Sequence, residues 1–188
     1  PPSTFALLPL LVERAGRTPQ GSITAFYTVL VEGNDPDEPV ADAVRGLLDG
    51  HIWLSRSLAN RGHYPAIDIL ESLSRLMPDI VDPRHYHSAL QIRDIMGVYR
   101  EHEDLITIGA YRRGSHPKVD VSIQIREAIN GFLRQNVEQR AEFNESKDSV
   151  IKLGEQINEA LRVAASSQQT GKDSTGRQVM AGTSVTRS

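Results

Sequence analysis

The pattern of the chain changes once, between residues 77 and 83, and this change constrains the fold more than any other feature. Before it, short β-branched and aromatic runs alternate with short amphipathic segments, an order typical of α/β domains. Met77-Pro78 and Asp82-Pro83 interrupt the chain, and the apolar segments that follow have only helical spacing. We therefore predict an α/β unit over residues 1–83 and an all-α domain over residues 84–165.

The first unit contains three candidate strands. Residues 22–31 are β-branched and aromatic, with no polar alternation after Ala25, which favours a strand buried on both faces of a mainly parallel sheet. Shorter strands are predicted at 51–54 and 67–70. Since open parallel sheets bind ligands at the carboxyl ends of their strands, we expect a site there. The helices predicted between these strands span residues 4–15, 38–48 and 55–60.

The second domain contains three predicted helices, over residues 84–108, 119–133 and 146–162, each with one apolar face. Residues 166–188 consist mostly of Ser, Thr, Gly and Gln, a composition that cannot bury a core, so we predict a disordered tail. The predicted core positions are Ala89, Ile92, Met96, Tyr99, Val121, Ile125, Ile129, Phe132, Val150, Leu153, Ile157 and Leu161.

Composition excludes several classes of function. The formal net charge is −3, so the chain lacks the net positive charge typical of nucleic-acid-binding domains. It contains no cysteine, which excludes disulfides, thiolate metal sites and a cysteine nucleophile, and is compatible with a reducing compartment. No apolar run approaches the roughly 20 residues of a membrane span.

Generic catalytic and metal motifs are absent from the chain. It has no G-x-x-x-x-G-K-[ST] phosphate loop, no G-x-G-x-x-G and no H-E-x-x-H. His85 and His87 lie at a predicted helix start, and we interpret them as solvated side chains rather than metal ligands. Carboxylates attract hard cations, but we interpret the acidic residues between 32 and 38 as a solvated loop and helix N-terminal charges. We predict no metal site.

One block of sequence is far more specific than these motifs. It contains GSITAFYTVLVEG (21–33), PVADAVRG (39–46), LDGHI (48–52), RGHYPAID (61–68) and SLSR (72–75). This block resembles the ATPase of bacterial type III protein export, most closely its flagellar branch, which is similar to the catalytic subunits of rotary F-type ATP synthases. The resemblance runs to about residue 160. It implies the C-terminal half of a RecA-like ATPase core, followed by the helical C-terminal domain of that family.

The resemblance also explains why the chain begins with Pro1-Pro2 and no initiator Met. In this family, the phosphate loop and the aspartate that binds Mg²⁺ lie upstream of the matching segment. The resemblance therefore implies an ATP hydrolase whose ATP and Mg²⁺ are held mainly by residues outside this chain. We expect the chain by itself to lack ATPase activity.

The resemblance assigns roles to three residues. Arg75 matches the arginine finger that reaches the γ-phosphate bound to a neighbouring subunit, and its guanidinium suits phosphate oxygens. Tyr64 and Phe143 match the two aromatic residues that contact adenine in the rotary family, where an aromatic π face suffices. The alternatives are a structural Arg75 paired with Asp79, an ordinary half-buried Tyr64 and a core Phe143.

The resemblance implies a cytoplasmic homohexameric ring, peripheral to the inner membrane and its export gate, that energises flagellar protein export. Its expected partners are stalk-like and regulatory export proteins and cargo–chaperone complexes. At residues 109–118, rotary subunits carry an acidic loop that touches the stalk, whereas this loop is basic, with Arg112, Arg113, His116 and Lys118. It faces an acidic stalk-like partner or forms a solvated tip. The alternative functions are an injectisome or rotary ATPase subunit, or a non-catalytic interaction fragment.

Overall fold

The first elements of the chain are a helix and a hairpin. The computed structural model describes the backbone of residues 2–31 and 38–179, and the side chains of residues 3–31 and 38–166. Helix α1 (Pro2–Val12) begins before the predicted cap Thr4, because proline fits a first helical turn that needs no N–H donor. Strands β1 (Gly16–Thr18) and β2 (Gly21–Ile23) then pair antiparallel across a two-residue turn.

The buried strand predicted over residues 22–31 is wrong. Only its first two residues belong to β2, and residues 24–31 have no regular structure. Phe26 and Leu30 are each 90% exposed. A strand buried on both faces needs a neighbouring strand at each edge and a layer on each face, and the described residues supply none of these to this segment. The predicted acidic loop and its alternative as a metal site lie largely in residues 32–37, outside the described residues.

The next four elements follow the predicted order. They are α2 (Pro39–Leu47), β3 (Gly50–Leu54), α3 (Arg56–Asn60) and β4 (Ile67–Ser74). Helix α2 is capped by Glu38, whose carboxylate accepts the Ala41 N–H at 2.7 Å. Helix α3 is capped by Ser55.

The predicted parallel sheet is not formed by the described strands. Strand β3 pairs antiparallel with β4, in the register Gly50↔Ser74 at one end and Leu54↔Ile67 at the other. The 12 residues between them, 55–66, hold only the five-residue α3, which is shorter than the helix of a usual parallel crossover. The α/β class is confirmed as a mixed α/β unit followed by helices.

The second part of the chain is a helical bundle, as predicted. After the short α4 (Met77–Ile80), it consists of α5 (Pro83–Thr107), α6 (Pro117–Leu133) and α7 (Phe143–Val179). Most of the predicted apolar positions lie in or against its core, which confirms the helical faces. The residues at the centre of this core are Ile92, Ile95, Val121, Ile125, Ile129, Leu153 and Ile157.

Helices α5 and α7 approach each other closely at Gly154. A Cβ atom built on Gly154 would lie 2.6 Å from the Ser88 Cβ and 3.0 Å from the Ser88 Cα. Both Ser88 and Leu153 are buried at this crossing, with 7% of each side chain exposed. Only a residue without a side chain therefore fits there.

The chain divides into two compact units, residues 1–80 and 81–188. Where we predicted a disordered tail from residue 166, the backbone of α7 continues to Val179. Adding residues to an existing helix costs less than starting one, so composition alone underestimates such an extension. Residues 180–188 lie outside the described part, and the predicted division into a core, a helical domain and a tail stays a prediction. None of the described helices is long and apolar enough to cross a membrane.

Candidate functional site

Arg75 lies directly after β4 and is exposed. Its backbone N–H donates to the Asp49 carbonyl at 2.8 Å. Its guanidinium donates to the carbonyls of Arg45 at 3.3 Å and Gly46 at 3.4 Å, in the last turn of α2. These carbonyls carry the partial negative charge of the helix end, so they attract a cation. Because both bonds are long and solvent-exposed, they hold the side chain only loosely.

The end of β4 that carries Arg75 is shaped by a bulge. The register of β3 and β4 is interrupted between His51 and Trp53. Inside the bulge, the Asp68 carboxylate accepts the Leu70 N–H at 3.0 Å, and the Ser72 hydroxyl donates to the Asp68 carbonyl at 2.6 Å. The Ser72 Oγ in turn accepts the Trp53 N–H at 2.9 Å. Two polar side chains thus bind backbone groups across the bulge that precedes Arg75.

Tyr64 lies at the opposite end of β4, in the loop that leads into the strand. Its side chain is 55% exposed, which leaves a ring face open to a ligand. The ends of β4 pair with Gly50 and Leu54, four residues apart on β3, so the bulged strand spans only about 13 Å between Tyr64 and Arg75 at its two ends. The two residues therefore do not meet at one point of this unit.

Phe143 belongs to the helical unit, where it is the first residue of α7. Its side chain is 66% exposed, so it is not the core residue of the alternative interpretation. The ring of His85 lies against it, with the ring centroids 6.3 Å apart and the planes at 62°. The expectation that His85 is solvated is wrong, because it is only 8% exposed, whereas His87 is exposed. The reason is that the α5 N-terminus packs against α7.

Asp82 caps α5 beside this pair of rings. Its Oδ1 accepts the His85 N–H at 3.0 Å, and its Oδ2 lies 3.9 Å from the Lys147 Nζ on α7. The hydrogen bond from the His85 backbone, followed by the charge of Lys147, lowers the pKa of Asp82 below its usual value of 3.8. The ionised carboxylate therefore stabilises the folded helical unit.

We expect Asp82→Asn to remove a pH-dependent part of this stability. A lowered folded-state pKa contributes stability above pH 3.8, and this contribution is lost as the pH falls through the folded-state value. Asn still accepts the cap bond, so only the charge is removed. Thermal unfolding followed by circular dichroism from pH 7 to pH 2.5 should show a wild-type advantage that disappears at the acid end. An advantage that stays constant over this range would contradict the assignment.

The basic loop between α5 and α6 is held by hydrogen bonds to a carboxylate of α6. The Asp120 carboxylate accepts the Tyr111 hydroxyl at 3.1 Å and the Gly114 N–H at 2.9 Å. The Tyr111 hydroxyl also lies 3.0 Å from the His116 carbonyl. Arg112 and Arg113 are exposed at the tip. An ordered loop thus presents two adjacent guanidinium groups to solvent.

Two family models match the chain in succession. The nucleotide-binding domain of the ATP synthase alpha/beta family matches residues 1–74. The T3SS EscN ATPase C-terminal domain matches residues 81–152. The chain is similar to the type III export ATPases. The gap between the two matches contains the boundary between the two compact units, and the resemblance inferred from the sequence is confirmed.

Proteins of both branches of the export ATPase family are similar to the chain. It is 46% identical to the type 3 secretion system ATPase of Pseudomonas syringae pv. syringae, over 85% of this chain and 35% of that protein. It is 50% identical to the flagellum-specific ATP synthase of Bacillus subtilis strain 168, over 81% of this chain and 35% of that protein. The chain thus spans about a third of the length of these relatives.

The structure of the assembled ATPase EscN from the enteropathogenic Escherichia coli type III secretion system is also similar. Its TM-score to the chain is 0.77 at 42% identity, over 82% of this chain and 37% of EscN. The structure of EscN in complex with its central stalk EscO has a TM-score of 0.72. The order of an α/β unit and a helical unit is therefore the order found in this export ATPase.

Three polar residues that organise these surfaces were given no role from the sequence. They are Asp68, Ser72 and Asp120. Asp68 and Ser72 interrupt the apolar run of a predicted strand, a signal that indicates a bulge. Asp120 follows a helix start closely, which is a signal for a capping or loop-holding carboxylate. The burial of His85 has no such local signal.

Proposed function

We propose that the chain is the C-terminal part of an ATP hydrolase that energises flagellar type III protein export as a homohexameric ring. The observation that carries this proposal is 45–50% identity to type III and flagellar ATPases over about 80% of the chain. The assembled state of EscN supports the ring. ATP is the substrate, and Mg²⁺ neutralises its phosphates when bound. The triphosphate and the metal are held mainly by residues outside this chain, which contains no phosphate loop.

Arg75 acts in trans, on the nucleotide of a neighbouring subunit. Two features of β4 support this assignment. The arginine follows the strand end, exposed and loosely held, while Tyr64 precedes the strand start at the opposite end. With the two residues at opposite ends of the strand, Tyr64 contacts the adenine of its own subunit and Arg75 serves the next.

Tyr64 and Phe143 form the adenine pocket. Their open rings support this role, since stacking needs an accessible π face and no hydrogen bond. In the full-length ATPase, we expect Tyr64→Ala and Phe143→Ala each to raise the KM for ATP about 10- to 100-fold, the range given by loss of one base–aromatic stack. Steady-state ATPase assays measure this. Tyr64→Phe keeps the π face and should retain the wild-type KM, and an equal loss in this variant would contradict stacking.

The isolated chain provides the simplest test of the proposal as a whole. It should hydrolyse no ATP, while the full-length protein that contains it should do so and form rings. Phosphate-release assays on both proteins measure this difference. ATP hydrolysis by the isolated chain would contradict the proposal that the triphosphate is held mainly by residues outside it. An inactive full-length ring would favour a non-catalytic interaction fragment. Export of flagellar rather than injectisome substrates in cells distinguishes the two branches.

The loop at residues 109–118 binds an acidic stalk-like partner. The two exposed arginines and the Asp120-held backbone support this role, as does the stalk complex of EscN. The other partners are regulatory export proteins and cargo–chaperone complexes, at the cytoplasmic side of the membrane export gate.

We expect Arg112→Glu with Arg113→Glu to abolish stimulation of the ATPase by the stalk protein. Reversing two charges at the tip turns attraction into repulsion, while substitution of solvated side chains leaves the fold intact. Titration of the ring with the stalk protein at low and high salt measures the effect. Arg134→Glu with Arg140→Glu, which reverses two exposed charges outside the loop, is the matched control. Unchanged stimulation in the loop variant would contradict the proposal.

A further inference from the structure

We propose that His85 positions Phe143 for adenine binding, an inference that rests on the proposed adenine pocket. The two rings are neighbours across the junction of α5 and α7, with centroids 6.3 Å apart and planes at 62°. His85 is 8% exposed and Phe143 is 66% exposed. The His85 ring is therefore fixed by its surroundings, whereas the Phe143 ring lies mostly in solvent and has the His85 ring as its neighbour.

The support comes from the way the two helix starts are joined. His85 is the third residue of α5, and its backbone N–H is bound by the N-cap carboxylate of Asp82. The other oxygen of that carboxylate faces Lys147, one helical turn after Phe143 on α7. The ring of His85 is thus held on a capped helix end that is joined electrostatically to the turn that carries Phe143.

His85 acts through Phe143 rather than on the nucleotide. Its Nδ1 is buried and has no hydrogen-bond partner within the described residues. Since Nδ1 is shielded from solvent, it does not reach a ligand stacked on the open side of Phe143.

The expected effect is one of preorganisation. A solvent-exposed phenylalanine has three staggered χ1 positions, and a neighbouring ring that selects one of them raises the fraction ready to stack. If this selection is lost, about one third of the molecules remain competent, and the apparent affinity for the nucleotide falls about threefold. The KM for ATP rises by that factor, while kcat, which depends on groups at the phosphates, is unchanged.

The first experiment detects the contact in the isolated chain, without nucleotide. The chain has four phenylalanines, so labelling with 4-fluorophenylalanine gives four ¹⁹F NMR resonances, and Phe143→Leu identifies that of Phe143. His85→Gln should shift this resonance toward the free amino acid value. His87→Gln, an exposed histidine on the same helix, should leave it in place. If His85→Gln lowers the unfolding temperature, His85→Phe retains an aromatic ring and is used to test for recovery of the shift.

The second experiment measures kcat and the KM for ATP in the full-length ATPase. His85→Gln should raise the KM about threefold at unchanged kcat, and His85→Phe should restore it. The inference would be overturned if the Phe143 resonance does not shift in His85→Gln. It would also be overturned if Phe143→Ala raises the KM but His85→Gln does not. Either result would leave the adenine pocket intact. A KM that ignores Phe143→Ala would overturn the pocket itself, and with it the role of His85.

Discussion

Replacing Arg75 by alanine is expected to lower kcat of the full-length ring by about 10³- to 10⁵-fold, the range that an arginine finger contributes to phosphoryl transfer. The guanidinium neutralises charge that develops on the γ-phosphate, and Ala offers no donor in its place. Arg75→Lys should recover little, since a point charge does not match the two-pronged geometry of the guanidinium. Single-turnover hydrolysis with ring assembly checked by light scattering measures this loss.

The same substitution also removes two hydrogen bonds to the last turn of α2. This structural contribution is separated by Arg75→Gln, which keeps amide donors near those carbonyls but removes the charge. The unfolding temperature of Arg75→Gln should stay close to that of the wild type while kcat falls as far as in Arg75→Ala. Arg56→Ala, which removes an exposed arginine of α3, should change neither quantity. A parallel fall in stability and activity would favour the structural alternative for Arg75.

Mixing subunits tests whether Arg75 acts in trans. Rings made only of Arg75→Ala subunits, or only of subunits with a disabled phosphate loop, should both be inactive. Mixed rings contain interfaces in which an intact phosphate loop faces an intact Arg75 on the neighbour, so part of the activity should return. No recovery in verified mixed rings would show that the arginine and the phosphate loop must belong to one subunit.

Gly154→Ala is expected to destabilise the helical unit, although alanine is the better helix former. The new methyl group would lie 2.6 Å from the Ser88 Cβ and 3.0 Å from its Cα, so α5 and α7 must separate. Overpacking against backbone falls in the upper part of the range of about 1–3 kcal/mol, and alanine gains roughly 1 kcal/mol in a helix, so the net loss is about 1–2 kcal/mol. Thermal unfolding should therefore show a midpoint about 5–15 °C lower for a unit of this size.

Two further variants isolate the cause of that loss. Gly97→Ala places a methyl group in α5 where no atom lies within 4 Å, so it should stabilise the unit by up to about 1 kcal/mol. Ser88→Gly removes the side chain that the methyl group of Gly154→Ala would overlap. The double variant should therefore be more stable than the sum of the two single effects predicts. Strict additivity would exclude the crossing as the cause.

Much of the helical unit was predictable from the sequence, because its signals are local. Ile92, Val121 and Ile157 repeat at helical spacing within their own segments, and each is buried in the core. Capping residues and prolines likewise set the helix ends from within a few residues. Arg75, Tyr64 and Phe143 were also located by their sequence context, and their roles stay proposals.

The sequence by itself determined the order of the elements from α2 to β4, the apolar faces of the long helices and the resemblance to the export ATPases. Only the tertiary structure decided the antiparallel pairing of β3 with β4, the exposure of residues 24–31, the burial of His85 and the crossing at Gly154. The physical reason is the range of the interactions. Periodicity records which face of an element is apolar, whereas pairing and burial depend on the neighbour that covers the face, and that neighbour belongs to a distant part of the chain.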